Sequence, residues 1–463
     1  MIKMVRNLMT TESKGLTRLY FEPGVLEAGG FNPGDSVEFR VEQDIVVLLK
    51  SDSGDSIISK RQRNGWSDPR PYFDRKNHEL SRVLKARKRI DVIVREGKIE
   101  VRMSQSFSLW EIGPESLQGS ELKRLRCFSI PSGAGIAKAA LLDTGLFECV
   151  GGIDYWNAAA DTFRLNFGNS GITLWSDIRY IHSDFIPQAD VAWLSCECDE
   201  FSPLGQSHAG IVSGLAPHYA RLVMACGARA VIIEQVPQFY RTRSYRMLQQ
   251  LLQSAGFNHF YEHVIDAHSF GSVPSRVRGY AVAFKDKTDF SWPSEPKIPE
   301  RFRSTVGKVI GSYWENRGSF QSIDGSYMSQ ILDKDGATNN FTAKHNHTLV
   351  TLDSTRMAAI LQSYSRTNAT SSYLLHPDGN HWRKFTSEEL SRFLHIPEWF
   401  RFPEWMSENQ KTQLIGQSVD CNVIKSISVE IAFSMMKFEL DNKNLRADVS
   451  YLQDKKGQIS FAF

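Results

Sequence analysis

The stretch RLRCFSIPSGAGIAKAALLDTGLFECVGGID, residues 124–154, sets the fold class. RLRCFSI at 124–130 reads as a strand and PSGAG as a tight loop. IAKAALLDTG follows as a helix ended by Gly145, and FECVGGID as a second strand. A strand, a glycine turn, a helix and a strand make a βαβ unit, whose two strands lie parallel. The alternation continues outward with YWNAAADTFRLNF as helix, GITLWSDI as strand, ADVAWLSC as strand and LAPHYARLVMACG as helix. ARAVIIEQV then reads as strand, RSYRMLQQLLQSAG as helix and RGYAVAF as a late strand. The expected architecture is α/β, a doubly wound, Rossmann-like parallel sheet covered on both faces. Such sheets bind ligands at the carboxyl ends of their strands.

The whole chain has 463 residues, enough for two or three ordinary cores. Hydrophobic residues make up 41% and charged residues 23%, with no apolar run of the roughly 18–20 residues that a membrane span needs, so a soluble protein without a membrane partner is expected. The N-terminus MIKMVRNLMTTESKGL has no continuous apolar core and no small-residue cleavage site, so a cytoplasmic location is expected. Six scattered cysteines form neither a disulfide framework nor a zinc-type pair of pairs, so reduced thiols and no metal are expected. The net charge of +3 neither demands nor excludes nucleic acid.

Before the α/β region, two segments starting at Arg18 and Arg70 repeat one plan: short strand, short helix, turn and hairpin. Val37, Phe39 and Val41 in one, and Ile90, Val92 and Val94 in the other, alternate as half-buried strands do. Residues 1–110 are therefore expected to close into a β-rich module, because each half has an apolar face that needs a partner. The module resembles the swapped-hairpin domains of AbrB-type transcription regulators in LEAGGFNPGDSVEF, which leaves DNA binding, a structural role and self-association as its alternatives. RVLKARKR, residues 82–89, carries five basic side chains in eight, either a solvated helix face or a phosphate contact. After the core, residues 286–345 are rich in aromatic, arginine, serine and asparagine residues without a usable period. Helical signals resume at KFTSEELSRFLHIPEWF, where Thr386, Ser387 and Glu389 supply a capping signature.

Chemistry-bearing residues fall at the strand ends. Gly133 and Gly135 let backbone approach a ligand ahead of a helix N-terminus. Asp154, 19 residues past Gly135, is placed to accept ribose hydroxyls, and Asp177 to accept an exocyclic amine. Cys198 and Glu234 end neighbouring strands. There a thiol can attack a carbon of a heterocycle while a carboxylic acid protonates the adjacent ring nitrogen. Arg276 and Arg278 precede the last strand and suit a thiolate, carboxylate or phosphate.

In order along residues 122–435, SIPSGAG, GGID, SDI, DVAWLSCECDEFSPLG, IIEQVPQF, FGSVPSRVRGYAVAF, RKFTSEELSRFLHIPEWF and IGQSVDCNVIKSISVEIA resemble the DNA (cytosine-5) methyltransferases. The resemblance implies an S-adenosylmethionine-dependent fold acting on double-stranded DNA. It divides the chain into a methyltransferase core at 122–285, a target recognition region at 286–345, a return to the core at 346–435 and a tail at 436–463. Carried over, Gly133, Gly135, Asp154, Asp177 and Ser418 would bind the cofactor, with Trp156 near its adenine. Cys198 would attack C6 of a flipped cytosine, Glu234 would act at N3, and Arg276 and Arg278 would hold the charged arrangement. Spacing selects Cys198 over Cys196, since Asp190 lies eight residues before it.

Departures gather at the same motifs. The family's Pro-Cys-Gln is Glu197-Cys198-Asp199, its Glu-Asn-Val is Glu234-Gln235-Val236, the glutamine before the arginines is Pro274, and Pro131 stands where an aromatic is usual. Carboxylates beside Cys198 disfavour the thiolate by like-charge repulsion. Three functions therefore stand side by side: a DNA cytosine-5 methyltransferase with an altered loop, an inactive DNA-binding regulator, and a related pyrimidine-C5 modification.

Overall fold

The computed structural model describes residues 2–42, 45–62, 68–104, 124–196, 214–312, 314–333 and 347–442, with the short pairs 452–453 and 459–460. Its centre is a sheet in which strands Ile172–Trp175, Phe147–Asp154, Leu125–Ile130, Val191–Ser195 and Ala230–Gln235 lie side by side and parallel. Period-2 side chains divide the two cores. Cys127, Trp193 and Ile232 face helices Ile136–Asp143, Asn157–Phe167 and Cys421–Asn442, whereas Phe128, Leu194 and Ile233 face helices Ala216–Ala225 and Arg243–Ser254. The strand order reverses direction between Leu125–Ile130 and Val191–Ser195, which opens the crevice where such sheets take ligands.

The sheet is not wholly parallel, which corrects the sequence expectation. Val277–Phe284 runs antiparallel beside Ala230–Gln235, and an unforeseen strand, His259–Asp266, runs antiparallel at the edge. That edge strand is mostly half-buried or exposed, and its residues, HFYEHVID, carry no clean apolar alternation, so periodicity could not reveal it.

The N-terminal repeat folds as its two halves suggest, with strands Leu16–Phe21 and Arg70–Lys76 paired in a small second sheet. The hairpins Ser36–Lys50 and Arg89–Met103 pair with each other, and Leu19, Phe21, Phe73, Leu48 and Val92 fill the space between the sheets. The module is nevertheless continuous with the core. Strand Ile2–Met9 lies parallel to Ile172–Trp175 on one side and antiparallel to Arg89–Arg95 on the other, giving one sheet of 13 strands.

Beyond the core, a small sheet of Gln321–Ser322, His381–Arg383, Tyr373–Leu375 and Leu349–Val350 draws strands from both sides of residue 345. The irregular segment and the return segment thus share one structure. Its apolar residues, among them Met328, Tyr373 and Trp382, belong to the same cluster as the return helix residues Val423, Ile427 and Ile431. Among the described residues no helix is long and apolar enough to cross a membrane.

Candidate active site

The loop after the first core strand is shaped by its glycines. Gly133 and Gly135 have φ of 52° and 88°, and a Cβ at Gly135 would stand 2.4 Å from the Phe167 ring, so only glycine fits there. The loop is tied down by Asp154, which ends the next strand. Its Oδ2 accepts the Gly133 N–H at 2.9 Å, and its Oδ1 accepts the Trp156 N–H at 2.9 Å. Asp154 is buried, and burial pushes its carboxyl up to about 6 against the pull of these backbone N–H groups. The Tyr155 backbone N–H also donates to this carboxyl, and since a carboxylate offers about four lone-pair directions, one remains open to a hydroxyl.

The two aromatics after Asp154 divide unexpectedly. Trp156 is half-buried against the core, while Tyr155 is 63% exposed, so Tyr155 stands beside Trp156 as a second ring at this strand end. The signal for it in the sequence is its position, one residue past the strand-end carboxylate. Asp177 follows the neighbouring strand, where the Ser176 N–H donates to the Asp154 carbonyl at 3.0 Å. Burial alone would raise the Asp177 carboxyl, but the Arg179 guanidinium at 2.6 Å and the Arg179 backbone N–H hold it below the usual range.

Glu234 lies nearly buried in strand Ala230–Gln235, opposite Ser195 in register. The Ser195 hydroxyl donates to its Oε2 at 2.9 Å, and Arg278 Nε stands 3.3 Å from its Oε1. Next to it, the Gln235 amide donates to the Cys196 carbonyl at 2.6 Å, and its own oxygen accepts the Val236 N–H at 2.6 Å. Gln235, standing where the family carries asparagine, thus clamps the end of the strand that leads toward Cys198. Ser195 and Gln235 are contributions that the sequence reading missed, although two parallel strands ending at one edge already put residues 195 and 234 side by side. Cys198, with Glu197 and Asp199, lies outside the described residues. The five described cysteines are buried, and burial pushes the Cys226 thiol up to about 12. Among the described residues no cluster of three histidine, cysteine or acidic side chains could hold a metal ion.

The two arginines separate. Arg278 reaches Glu234, whereas Arg276 turns into the interior and donates to the carbonyls of Ile360 at 2.8 Å, Gly416 at 3.2 Å and Ser418. Complete burial, with Arg278 nearby, lowers the Arg276 guanidinium to about 9. Its place is between the core and the return segment, joining strand and helix. Ser418 accepts Arg276 at its carbonyl and donates its hydroxyl to Ile415 at 2.7 Å, which fixes the IGQSV turn beside the return helix. Asp420, just beyond, accepts Ser272 Oγ at 2.6 Å and the N–H groups of Asn422 and Val423, so it both caps that helix and holds it to the loop before Arg276.

The family model described as C-5 cytosine-specific DNA methylase matches residues 125–432. Among characterised relatives, the type II methyltransferase M.Bsp6I of Bacillus sp. (strain RFL6) is 26% identical over 331 residues, covering 67% of this chain and all of the relative. The type II methyltransferase M.MspI of Moraxella sp. is 22% identical over 298 residues, 62% of this chain and 67% of the relative. In fold, the chain is similar to the Dnmt2 methyltransferase of S. pombe, with a TM-score of 0.53, 19% identity and coverage of 68% of this chain and 99% of that one. The Entamoeba histolytica methyltransferase EhMeth is similar in the same way, with a TM-score of 0.51, 16% identity, and 69% and 99% coverage.

Proposed function

The chain belongs to the C-5 cytosine-specific DNA methylase family, and from that premise we propose that it methylates C5 of a cytosine turned out of a DNA duplex, with Cys198 as nucleophile and S-adenosylmethionine as donor. The observation that carries the proposal is Glu234, a nearly buried carboxyl fixed between the Ser195 hydroxyl and Arg278 at the end of the strand beside the one leading to Cys198. A carboxyl so placed can hold a proton at N3 of a flipped cytosine, which draws electron density from C6 and makes that carbon open to sulfur.

The cofactor fits the loop. A close-approach glycine cradle, the Asp154 carboxylate beside it, the exposed Tyr155 ring and the Asp177 carboxyl present the groups that a nucleoside-bearing ligand uses. S-adenosylmethionine, when bound, supplies an electrophilic methyl group. The chain's own part is to make C5 electron-rich. The Cys198 sulfur bonds to C6 as N3 takes a proton from Glu234, leaving an enamine with C5 as its nucleophilic end. With the cofactor bound, C5 would take the methyl group and become tetrahedral; loss of its proton to a base, with the C6–S bond breaking and the N3 proton returning to Glu234, then restores the aromatic ring.

The test is a denaturing mass measurement after incubation with S-adenosylmethionine and a duplex library carrying 5-fluorocytosine, whose fluorine blocks the final elimination. A covalent adduct present in the parent and in Cys196→Ala but absent in Cys198→Ala is expected. DNA and cofactor binding without an adduct would instead favour a DNA-binding homologue, made inert by the acids at 197 and 199.

A further inference from the structure

The basic run 82–89 takes no part in the chemistry above, yet it lies at the same edge of the sheet. Strand Ile2–Met9 runs parallel to Ile172–Trp175, so its end at Met9 points the same way as the end that leads to Asp177. The antiparallel strand Arg89–Arg95 therefore begins there, with Met9 opposite Arg89. Thr10 fastens the turn in front of it. Its N–H donates to the Lys88 carbonyl at 3.0 Å, its carbonyl accepts the Arg87 N–H at 3.2 Å, and its hydroxyl donates to the Lys85 carbonyl at 2.6 Å.

Held this way, Arg82, Lys85, Arg87 and Lys88 are exposed. Arg89 turns toward the core instead, with its guanidinium 3.3 Å from the centre of the Tyr180 ring. Tyr180 donates its N–H to the Asp177 carbonyl at 3.0 Å, and Arg179 pairs with the Asp177 carboxylate, so basic side chains extend from the cofactor edge to Lys85. Opposing them are Glu12, which pairs with Arg87 at 3.3 Å, and the exposed Glu79.

We propose that this turn is a second backbone contact for duplex DNA, gripping the phosphates of one flank while the target base is in the active site. The proposal rests on the DNA methyltransferase reading and adds where the flank is held. Strand Arg89–Arg95 lies five positions along the sheet from Val191–Ser195. That is about 24 Å at roughly 4.8 Å per strand, or about seven base pairs at 3.4 Å each. Lysine and arginine at a fixed turn suit phosphate, which carries no sequence information. Single strands are held on open aromatic platforms, and the aromatic ring here, Tyr180, is already covered by Arg89.

The test uses the full chain and labelled DNA duplexes of one mixed sequence, about 10 to 30 base pairs long, titrated by fluorescence anisotropy over a range of salt. The parent is compared with Arg82→Ala/Lys85→Ala/Lys88→Ala and with Lys85→Arg/Lys88→Arg. On the long duplex the triple variant is expected to bind about fivefold or more weakly, with a salt slope lower by about 0.9 for each phosphate it no longer neutralises. On the shortest duplex it is expected to match the parent, which also shows that it is folded, and the arginine variant is expected to match the parent throughout. Equal length and salt dependence in parent and triple variant, or a loss seen only with RNA of the same length, overturns the proposal. A parent that binds no duplex overturns the underlying DNA reading, and that failure is distinguishable because it precedes any substitution.

Discussion

Glu234 has two neighbours of different kinds, and they predict different losses. Removing the acid itself in Glu234→Gln keeps shape and hydrogen bonding but not the proton, so single-turnover methyl transfer should fall by about 10²–10⁴-fold with cofactor affinity nearly unchanged. Ser195→Ala removes one hydrogen bond to a carboxyl that also pairs with Arg278, a bond worth about 1.5–3 kcal/mol, so a loss of roughly 10–150-fold is expected in the same assay. Asp154 gives a pH prediction. Its folded pKa, pushed up to about 6 by burial, lies above the ordinary carboxyl value, so a proton arrives as pH falls through 6 and the charged acceptor is lost. S-adenosylmethionine affinity measured by calorimetry should weaken from pH 7 to pH 5, and Asp154→Asn should flatten that profile. The carboxylates were legible in the sequence because strand-end acids stand out. Their hydrogen-bond partners, Ser195 and the Gly133 N–H, were not, because which atoms meet is settled by register and loop shape.

At the scale of elements, the return segment shows what a sequence signature conveys and what it omits. Thr386 and Glu389 form the capping box that their spacing predicts, with the Thr386 N–H donating to Glu389 Oε2 at 2.9 Å and the Glu389 N–H donating to Thr386 Oγ1 at 3.3 Å. The spacing does not disclose that Glu389 is also the partner of Arg383 from the strand His381–Arg383. Two guanidinium nitrogens meet its carboxylate at 2.8 Å, with both side chains almost completely buried. Breaking a pair of this kind strands a buried charge, so Glu389→Leu should cost about 3–5 kcal/mol in denaturant unfolding. Replacing both partners, in Arg383→Met/Glu389→Leu, should recover most of that, since the desolvation cost of both ions disappears with them. The recovery would be incomplete, because Arg383 also donates to the carbonyls of Trp314 and Lys384 and so joins the small sheet to its neighbours.

For the whole molecule, the α/β alternation was legible because the parallel core strands are short, mostly apolar segments bounded by turns. The junction of the two halves was not, because strands join edge to edge through backbone groups that every sequence carries. Side chains then seal that junction: Arg6 lies 3.0 Å over the Trp175 ring and pairs with Glu22 at 3.4 Å. Arg70 bonds Glu27, and Arg164 lies 3.7 Å from both Glu27 and the buried Asp161. Burial raises the Asp161 carboxyl, with Arg164, Arg70 and Arg6 pulling the other way. If the N-terminal half were merely appended, residues 122–463 would stand alone as a monomer with full cofactor affinity. Instead, removing it should leave strand Ile172–Trp175 as a bare edge with Trp175 uncovered, an open template for pairing with other chains. The truncated chain is expected to self-associate in light scattering and to bind S-adenosylmethionine weakly, since Asp177 hangs from that strand. Arg6→Ala in the intact chain keeps the backbone ladder and loses only the seal, so it should remain monomeric with a lower unfolding midpoint. The difference between these two outcomes separates what the shared sheet contributes from what the side chains at the junction contribute.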